Sequence, residues 1–350
     1  MTVPQALVIR KADLGTWVDS LIGRTEVIGP TRGPRGDVLL ATLSGARELL
    51  WDFTNALQPP KQFLLPQTEP LVQIRTARGH AQAESVADAH PQVLFNVRSC
   101  DVKGFAVLRR MHAQPPGDTA YLRRDEQTTL VCLTCPTPCP LGFCVCADAG
   151  PFLEEHFDLQ LTAMDDAMFV EVGSAKGRAL LEGQDRLFRP AAASEVARRA
   201  EIEAEARRRF GPVTCHFGSA MRRVSTGRVA QALWDAIADW CLECGGCNFI
   251  CPTCYCFSVR DRREDGSWER CRVWDSCQYA AFTLEASGHN PRKRQGGRVR
   301  RRFFHKVSAQ YYQKDGDVGC VGCGRCITVC LGTADMPAVV EALRKGEWHG

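Results

Sequence analysis

Apolar residues in the first half of the chain recur at spacings that predict alternating helices and strands. Residues 11–23 have the period of a short amphipathic helix that ends at a glycine. The run at 38–43, VLLATL, is typical of a strand, and residues 46–57 have the pattern of a second helix. The apolar face predicted for the first helix consists of Leu14, Trp17, Val18 and Leu21.

The clearest strand–helix unit lies at residues 93–112. VLFNV (93–97) is an uninterrupted apolar run of the kind found in buried strands, and residues 102–112 return to helical spacing. Asp101 stands directly before that helix and is its predicted N-cap. The short turn between the two elements predicts that the helix packs back onto the strand.

Three further segments complete the front half. TTLVCL (128–133) predicts a buried strand, residues 159–173 predict a hairpin, and residues 193–210 predict a solvent-facing helix rich in Arg and Glu. Together they indicate an α/β or α+β domain over residues 1–220.

The pattern becomes helical in the back half. Residues 227–240 form a predicted amphipathic helix that runs into a cysteine, and residues 276–288 predict another helix. A last helix is predicted from Pro337 to about Gly346. Little alternation of apolar and polar residues lies between these segments, so we expect a helical domain over residues 226–350.

Two cysteine runs in this helical half have the same spacing. The runs are Cys241-x2-Cys244-x2-Cys247-x3-Cys251 and Cys320-x2-Cys323-x2-Cys326-x3-Cys330. This spacing is typical of [4Fe–4S] ligation, in which the fourth cysteine of each run binds the other cluster. We therefore expect one cluster on Cys241, Cys244, Cys247 and Cys330. A second is expected on Cys320, Cys323, Cys326 and Cys251.

Other uses of these cysteines fit less well. Zinc sites usually show two separate Cys-x2-Cys pairs or a Cys/His mixture, whereas each run here holds four cysteines. Nineteen cysteines in 350 residues, with no visible signal peptide or apolar membrane span, favour metal ligands in a reducing, cytoplasmic compartment over disulfides. The expected fold class is α+β, with an N-terminal α/β-type domain followed by an α-helical ferredoxin domain that holds two clusters.

A second group of cysteines lies outside the two runs. Five of them stand within a fifteen-residue loop at 132–146, and their irregular spacing leaves open a third cluster, a zinc ion or buried, unligated thiols. The five are Cys132, Cys135, Cys139, Cys144 and Cys146. We expect Cys254, Cys256, Cys271 and Cys277 to support the first run or to pack in the core. Cys100 and Cys215 are expected in the core.

Positive charge is concentrated between the two cysteine runs. The net charge is +4, and residues 286–314 contain nine Lys or Arg without a single Asp or Glu. The nine are Arg292, Lys293, Arg294, Arg298, Arg300, Arg301, Arg302, Lys306 and Lys314. Such a block can bind nucleic acid. Its position favours compensation of negative cluster charge or the docking of a partner instead.

Several motifs resemble one protein family in order along residues 63–335. They include FLLPQTEPL, NVRSCDVKGFAVL, FCVCADAGP, WDSCQYAAFT, ASGHNPR and CVGCGRCITVC. They resemble the iron–sulfur beta subunit of cytoplasmic nickel–iron sulfhydrogenases, which is similar to the corresponding iron–sulfur subunit of anaerobic sulfite reductase. Leu331, which follows the last cysteine where proline is usual, and the cysteine-rich loop depart from the expected pattern.

The resemblance implies an electron-relay subunit. Its partners would be a flavin subunit that handles NAD(P)H and a catalytic subunit with a nickel–iron site or siroheme. This chain has no flavin fingerprint and no acid–base pair of its own, so we expect no catalytic residues. Two alternatives stay open: an enzyme subunit that reduces a sulfur substrate at the 132–146 loop, and a regulatory protein that binds nucleic acid through residues 292–302.

Overall fold

The computed structural model describes residues 5–77, 80–264 and 266–349. Residues 1–4, which belong to the N-terminal segment without a visible signal peptide, lie outside these ranges. For residue 314 the structure describes the backbone and not the side chain. The strands are β1 (Gln5–Arg10), β2 (Glu26–Arg32), β3 (Val38–Thr42), β4 (Thr68–Ala77), β5 (His80–Ser85), β6 (Gln92–Arg98), β7 (Thr128–Leu133), β8 (Leu159–Ala163), β9 (Ala167–Val172), β10 (Phe188–Pro190), β11 (Phe257–Glu264) and β12 (Ser267–Trp274).

Helices of very different length connect these strands and build the region around the cysteine runs. They are α1 (Leu14–Ile22), α2 (Ser99–His112), α3 (Thr119–Gln127), α4 (Ala175–Ala179), α5 (Ala193–Phe210), α6 (Phe217–Ser225), α7 (Gln231–Ala238), α8 (Gly246–Phe249), α9 (Gln295–Val307), α10 (Ala309–Asp315), α11 (Arg325–Val329) and α12 (Met336–Lys345). Among the described residues, none of these helices has the length and apolar character needed to cross a bilayer.

A mixed eight-stranded sheet forms the centre of the front half. Its strand order is β10-β1-β9-β8-β7-β6-β2-β3, and β2, β6, β7 and β8 run parallel. The predicted buried strands at 93–97 and 128–133 are confirmed as β6 and β7, and the predicted hairpin is confirmed as β8 and β9. Helices cover both faces of the parallel strands, which explains why these strands are apolar without alternation.

The two faces of the sheet have separate cores. Phe95 and Val131 pack with α1, and all four apolar residues predicted for the face of α1 are buried there. Leu94 and Leu130 point to the opposite face and pack with Phe105 of α2. Both packing partners follow from the alternation of side chains along a strand.

Three local predictions are wrong. Residues 46–57 contain only a short 3-10 turn at Ala46–Glu48. A longer helix does not form because the Leu50 N–H donates to the Pro30 carbonyl of β2 (2.8 Å). Residues 276–288 form a series of turns, in which the Asn290 side chain donates to the Ala280 carbonyl (2.6 Å). Asp101 is not an N-cap, since α2 begins two residues earlier, at Ser99.

A four-stranded antiparallel sheet, in the order β11-β12-β4-β5, was not predicted. It joins strands on both sides of the expected boundary near residue 220, and β12 pairs with β4 along six registered positions. The hairpin β11–β12 carries an ion pair on each of its two faces, Arg262 with Glu269 (2.9 Å) on one and Arg270 with Asp261 (2.8 Å) on the other. Because many of its residues are charged, the sequence here lacks the apolar alternation that predicts strands.

The helical region shares one core with residues of the front half, among them Phe143 and Ala147. Trp234 of α7 stacks on Phe303 of α9 with ring centroids 6.4 Å apart, and Leu343 of α12 is buried in the same cluster. Helix α7 leads into Cys241, and α12 follows Cys330 after a short connection. This packing holds the beginning of the first cysteine run close to the end of the second.

Candidate metal centres

The two cysteine runs fold into loops with the same backbone conformation. The second residue after the first cysteine is left-handed in both loops, as Glu243 (φ 52°) and Gly322 (φ 61°). The residue after the second cysteine is also left-handed, as Gly245 (φ 73°) and Gly324 (φ 78°). A short helix, α8 or α11, begins directly afterwards and carries the third cysteine. The repeated spacing in sequence therefore corresponds to a repeated structure.

Close backbone contacts fix the position of the second loop. A Cβ atom at Gly322 would lie 2.5 Å from the Phe143 carbonyl oxygen, and one at Gly324 would lie 2.4 Å from that of Leu141. The Phe143 N–H also donates to the Gly322 carbonyl at 2.7 Å. The cysteine-rich loop thus packs directly against the second run, and both glycines are required by the tight approach as well as by their φ angles.

The last cysteine of the second run lies with the first run. Burial raises the pKa of the Cys247 thiol, Arg302 lowers it, and the neighbouring thiols of Cys241 and Cys330 raise it further. The chain reaches this position through Gly332, where a Cβ atom would collide with the Trp240 carbonyl oxygen at 1.7 Å. Cys244, the remaining cysteine of the first set, is exposed.

The last cysteine of the first run lies, correspondingly, with the second. Burial raises the pKa of Cys320, Cys323 and Cys326, and the thiol of Cys251 is a neighbour that raises each of them further. All four of these cysteines line one cavity, which Cys247 of the first run and Cys254 also line. The four cysteines of the second predicted ligand set therefore border a common space, and ligation of a cluster by Cys251 there stays a prediction.

The donors around these sulfur atoms suit thiolates that hold an iron–sulfur cluster. The Gly322 N–H donates to Cys320 Sγ at 3.4 Å. Backbone N–H groups of Met336 and Gly332 also donate to the Cys326 and Cys330 thiols. Such bonds stabilise sulfur that carries negative charge and help set the potential of a bound cluster.

Two buried cations from the basic block lie against the same sulfur atoms. Lys306 Nζ is 3.4 Å from Cys251 Sγ. Burial opposes the charge of Lys306, yet the thiols, Cys251 foremost, outweigh it and raise the pKa of the ammonium. Arg302 behaves alike, with burial outweighed by Cys247 and Cys326. Their positions agree with the predicted role in compensating cluster charge.

Other members of the block serve different ends. Arg298 is buried and forms an ion pair with Glu243, whereas Arg294 and Arg300 are exposed. Because Arg298, Arg302 and Lys306 are all buried, they are unavailable to phosphate groups, which weakens the nucleic-acid interpretation.

Sequence reasoning missed two charged groups at the site. Lys61 is buried, and its Nζ donates to the carbonyls of Asn248 (3.2 Å) and Cys254 (2.9 Å). Arg325, within the second run, forms a bidentate ion pair with Asp101 of α2 at 2.6 and 2.9 Å. The sequence drew attention to Asp101 as a predicted N-cap and as part of the motif NVRSCD. Neither feature indicated Arg325 as its partner.

The cysteine-rich loop brings four of its five thiols near one another, since Cys135 is a neighbour of Cys132, Cys139 and Cys144. Burial raises the pKa of Cys144, to which the neighbouring thiols of Cys135 and Cys139 add. Cys132 lies within β7 against the Ser99 hydroxyl at 3.7 Å. Cys146 turns away, and its Sγ accepts the Cys215 N–H at 3.4 Å. Cys100, expected in the core, has Cys144 and Cys323 as neighbours.

The remaining cysteines lie beside the first run or in the core, in line with the expectation. The Asn248 side-chain amide donates to the Cys277 and Cys254 thiols at 3.3 and 3.7 Å. Cys256 faces Cys277, and Cys271 is buried within β12. In the part of the chain that the structure describes, no three His, Cys, Asp or Glu side chains are arranged to hold one metal ion. The ligands of a four-iron cluster lie farther apart than those of a single ion. This finding therefore argues against a zinc site and does not bear on a four-iron cluster.

Comparisons with known proteins agree with the chemistry of the site. Residues 240–334 match the family model of the 4Fe-4S dicluster domain. Over 332 residues the chain is 29% identical to the sulfhydrogenase 2 subunit beta of Pyrococcus furiosus, and the alignment covers 93% of each protein. The predicted resemblance to the iron–sulfur beta subunits is thereby confirmed, and [4Fe–4S] clusters are supported as the cofactor.

Proposed function

We propose that this chain, which resembles the beta subunit of sulfhydrogenases, relays single electrons through two [4Fe–4S] clusters. The first would be held by Cys241, Cys244, Cys247 and Cys330. The second would be held by Cys320, Cys323, Cys326 and Cys251. The observation that carries the proposal is that the Cys330 thiol neighbours Cys247 of the first loop, whereas the Cys251 thiol neighbours Cys320 of the second. Exchange of the two fourth ligands would keep the two sites adjacent.

The role of the protein at these sites is to tune a redox centre rather than to bind a substrate. Bound clusters would supply one-electron chemistry, and ligation by four cysteines leaves no iron open to a reactant. Lys306 and Arg302 stabilise the added negative charge of a reduced state. Backbone N–H groups act in the same direction. The described residues thus favour electron uptake at the two proposed clusters.

An exposed apolar edge beside the first site is suited to partner docking. Leu331 is 87% exposed, Leu242 is 63% exposed and Trp240 is 48% exposed. All three adjoin ligands of the first cluster, and the exposed Cys244 belongs to the same set. Exposed apolar side chains grouped in this way mark interaction surfaces. We place the entry or exit of electrons at this edge.

Charge beside the edge indicates the chemistry of the partner. The Gln295 side chain donates to the Cys241 carbonyl, and Arg298 Nη1 donates to the carbonyls of Arg292 (2.9 Å) and Lys293 (2.7 Å). The start of the basic block therefore borders the first loop and would attract an acidic surface. In the proposed complex the partners are a flavin subunit that oxidises or reduces NAD(P)H and a nickel–iron hydrogenase subunit; a sulfite reductase assembly is the alternative.

Exchange of the fourth ligands gives a decisive experiment. In anaerobically purified protein, reduction should yield two interacting paramagnetic centres. Cys330→Ser should then alter the signal of the centre that Cys247→Ser also alters, and Cys251→Ser should act together with Cys323→Ser. If each run instead bound its own fourth cysteine, Cys330→Ser would act together with Cys323→Ser, and Cys251→Ser would act together with Cys247→Ser. A single isolated centre, or about four irons per chain, would contradict the proposal.

A second candidate function rests on the cysteine-rich loop. Cys135, Cys139 and Cys144 converge beside the second run, with Cys100 next to Cys144. Three or four converging thiols could hold an additional, incompletely ligated cluster at which a sulfur compound is reduced. The test is turnover of sulfite or polysulfide by the isolated chain with an artificial electron donor. Iron content above that of the two proposed clusters, lost in Cys139→Ser, would support the third centre.

A further inference from the structure

A pocket lies at the carboxyl edge of the large sheet, outside the two cysteine runs. Residues at the ends of three strands line it: Arg98 is the last residue of β6, Thr134 to Thr137 follow β7, and Ala163 is the last residue of β8. Its volume is about 460 Å³. Ligand sites of α/β sheets occur at this edge, and a pocket of this size is within the range that accepts a small organic molecule.

One buried cation in the pocket has an unused donor. Arg98 is 5% exposed. Its guanidinium lies 3.9 Å from the centre of the Phe53 ring and is hydrogen-bonded to the Cys135 thiol, and its two terminal nitrogens donate to the carbonyls of Thr134 (3.3 Å) and Phe53. Its Nε has no hydrogen-bond partner among the described residues. A buried guanidinium is costly without a compensating negative charge, and an anionic group in the pocket beside Arg98 would supply that charge.

The remaining walls are mainly apolar. Leu14 and Met168 are buried at the base, and Trp51 and Phe53 supply partly exposed aromatic faces. Lys11 at the rim donates to the Asp165 carbonyl at 2.7 Å and adds a second positive charge, which the exposed Asp52 partly offsets. An inorganic anion would leave most of this surface uncovered.

We propose that this pocket binds a small organic oxyanion, such as a carboxylate, whose charged group meets Arg98 and whose apolar body lies against the aromatic and aliphatic walls. The proposal is independent of the electron relay, since none of the eight expected cluster ligands lines the pocket. Cys135 does line it, so a bound ligand would lie beside the cysteine-rich loop.

The test uses the full-length protein, purified anaerobically with its iron, and ligand-observed NMR with three probes. Benzoate combines the charge with an apolar ring, benzamide keeps the shape without the charge, and inorganic sulfate keeps charge without the ring. Benzoate should bind, benzamide should bind at least tenfold more weakly, and sulfate should not compete at equal concentration.

Three variants locate the binding. Arg98→Gln should weaken benzoate binding about 10- to 100-fold, as expected for loss of a hydrogen bond to a charged group. Ala163→Phe fills the pocket, keeps Arg98 and should abolish binding. Arg47→Gln is the control, because Arg47 is exposed and outside the lining.

Clear outcomes would overturn the proposal. These are no benzoate binding, equal binding of benzamide, or unchanged binding in Ala163→Phe. Full competition by sulfate would also overturn it, because the site would then be one for inorganic anions. If Arg98→Gln fails to fold, Ala163→Phe and the benzamide comparison still decide the question, and neither readout depends on electron transfer.

Discussion

Asp101→Asn tests how the second cysteine run is anchored. Arg325 lies between Cys323 and Cys326, is 1% exposed, and pairs with Asp101 through two hydrogen bonds of 2.6 and 2.9 Å. The substitution keeps the shape of the side chain but removes its charge. It therefore leaves a buried guanidinium without a counter-ion.

The expected cost follows from the geometry. Breaking a buried ion pair on one side costs about 3–5 kcal/mol. The third donor of Arg325, Nε, keeps its bond to the Ala56 carbonyl at 2.8 Å, so we take the lower end of that range. About 3 kcal/mol increases the population of the opened loop by a factor on the order of 100, since 1.4 kcal/mol corresponds to tenfold.

The assay is the rate at which a ferrous chelator removes iron from the anaerobic protein. Where the loop opens and closes rapidly, this rate is proportional to the opened population. The Asp101→Asn protein should lose about half of its iron some 100-fold faster than the unmodified protein does. It should lose the other half at nearly the original rate. The slow half would come from the proposed first cluster, whose cysteine run has no part in the pair of Asp101 and Arg325.

The matched control removes a carboxylate from an exposed pair. Glu205 pairs with Arg209 one turn along α5, and both side chains are about half exposed, at 46% and 50%. Glu205→Gln should change neither rate. The double substitution Asp101→Leu with Arg325→Met should recover most of the stability, because it leaves no buried charge. Equal release rates in Asp101→Asn and Glu205→Gln would refute the anchoring argument.

The remaining predictions concern tuning, packing and docking. Lys306→Met should make the potential of the second cluster more negative by tens of millivolts, because it removes a cation 3.4 Å from Cys251 Sγ; redox titration followed by EPR measures this. Gly332→Ala should destabilise the first site by about 1–3 kcal/mol and lower its iron content, because the new methyl group would meet the Trp240 carbonyl. Leu331→Asp should slow electron delivery to a partner in the reconstituted complex while iron content stays unchanged.

Each of these has a control at a matched position. Lys306→Arg keeps the charge and should retain the potential within a small shift. Gly218→Ala adds a methyl group where no atom lies within 4 Å and should keep its iron. Val196→Asp changes another exposed apolar residue, on α5, and should not slow electron delivery. A control that behaves like its test variant would contradict the corresponding reason.

Regular patterns were predictable from sequence, and long-range contacts were not. The spacing of each cysteine run is local, so the order of residues alone was enough to indicate a [4Fe–4S] site. The buried face of α1 followed from its period. By contrast, Asp101 and Arg325 lie 224 residues apart, and a single sequence contains nothing that pairs them.

Charged residues limited what the sequence could predict in two places. The hairpin β11–β12 satisfies its charged residues by cross-strand ion pairs, so it lacks the apolar alternation that marks most strands. The basic block was identified correctly, but a one-dimensional sequence could not show that Lys306 faces inward while Arg300 faces solvent. Helical period separates such residues only after the core side of the helix is known.

The pairing of β12 with β4 limits how this polypeptide can be divided. A fragment that starts near residue 226 would carry β12 as a bare strand edge, ready to pair with other copies and aggregate. It would also leave Arg272, which is 2% exposed, without the carboxylate of Glu69. Fusions and transplants intended to move the redox module into another enzyme should therefore include residues 68–85, or the transplanted unit will be insoluble.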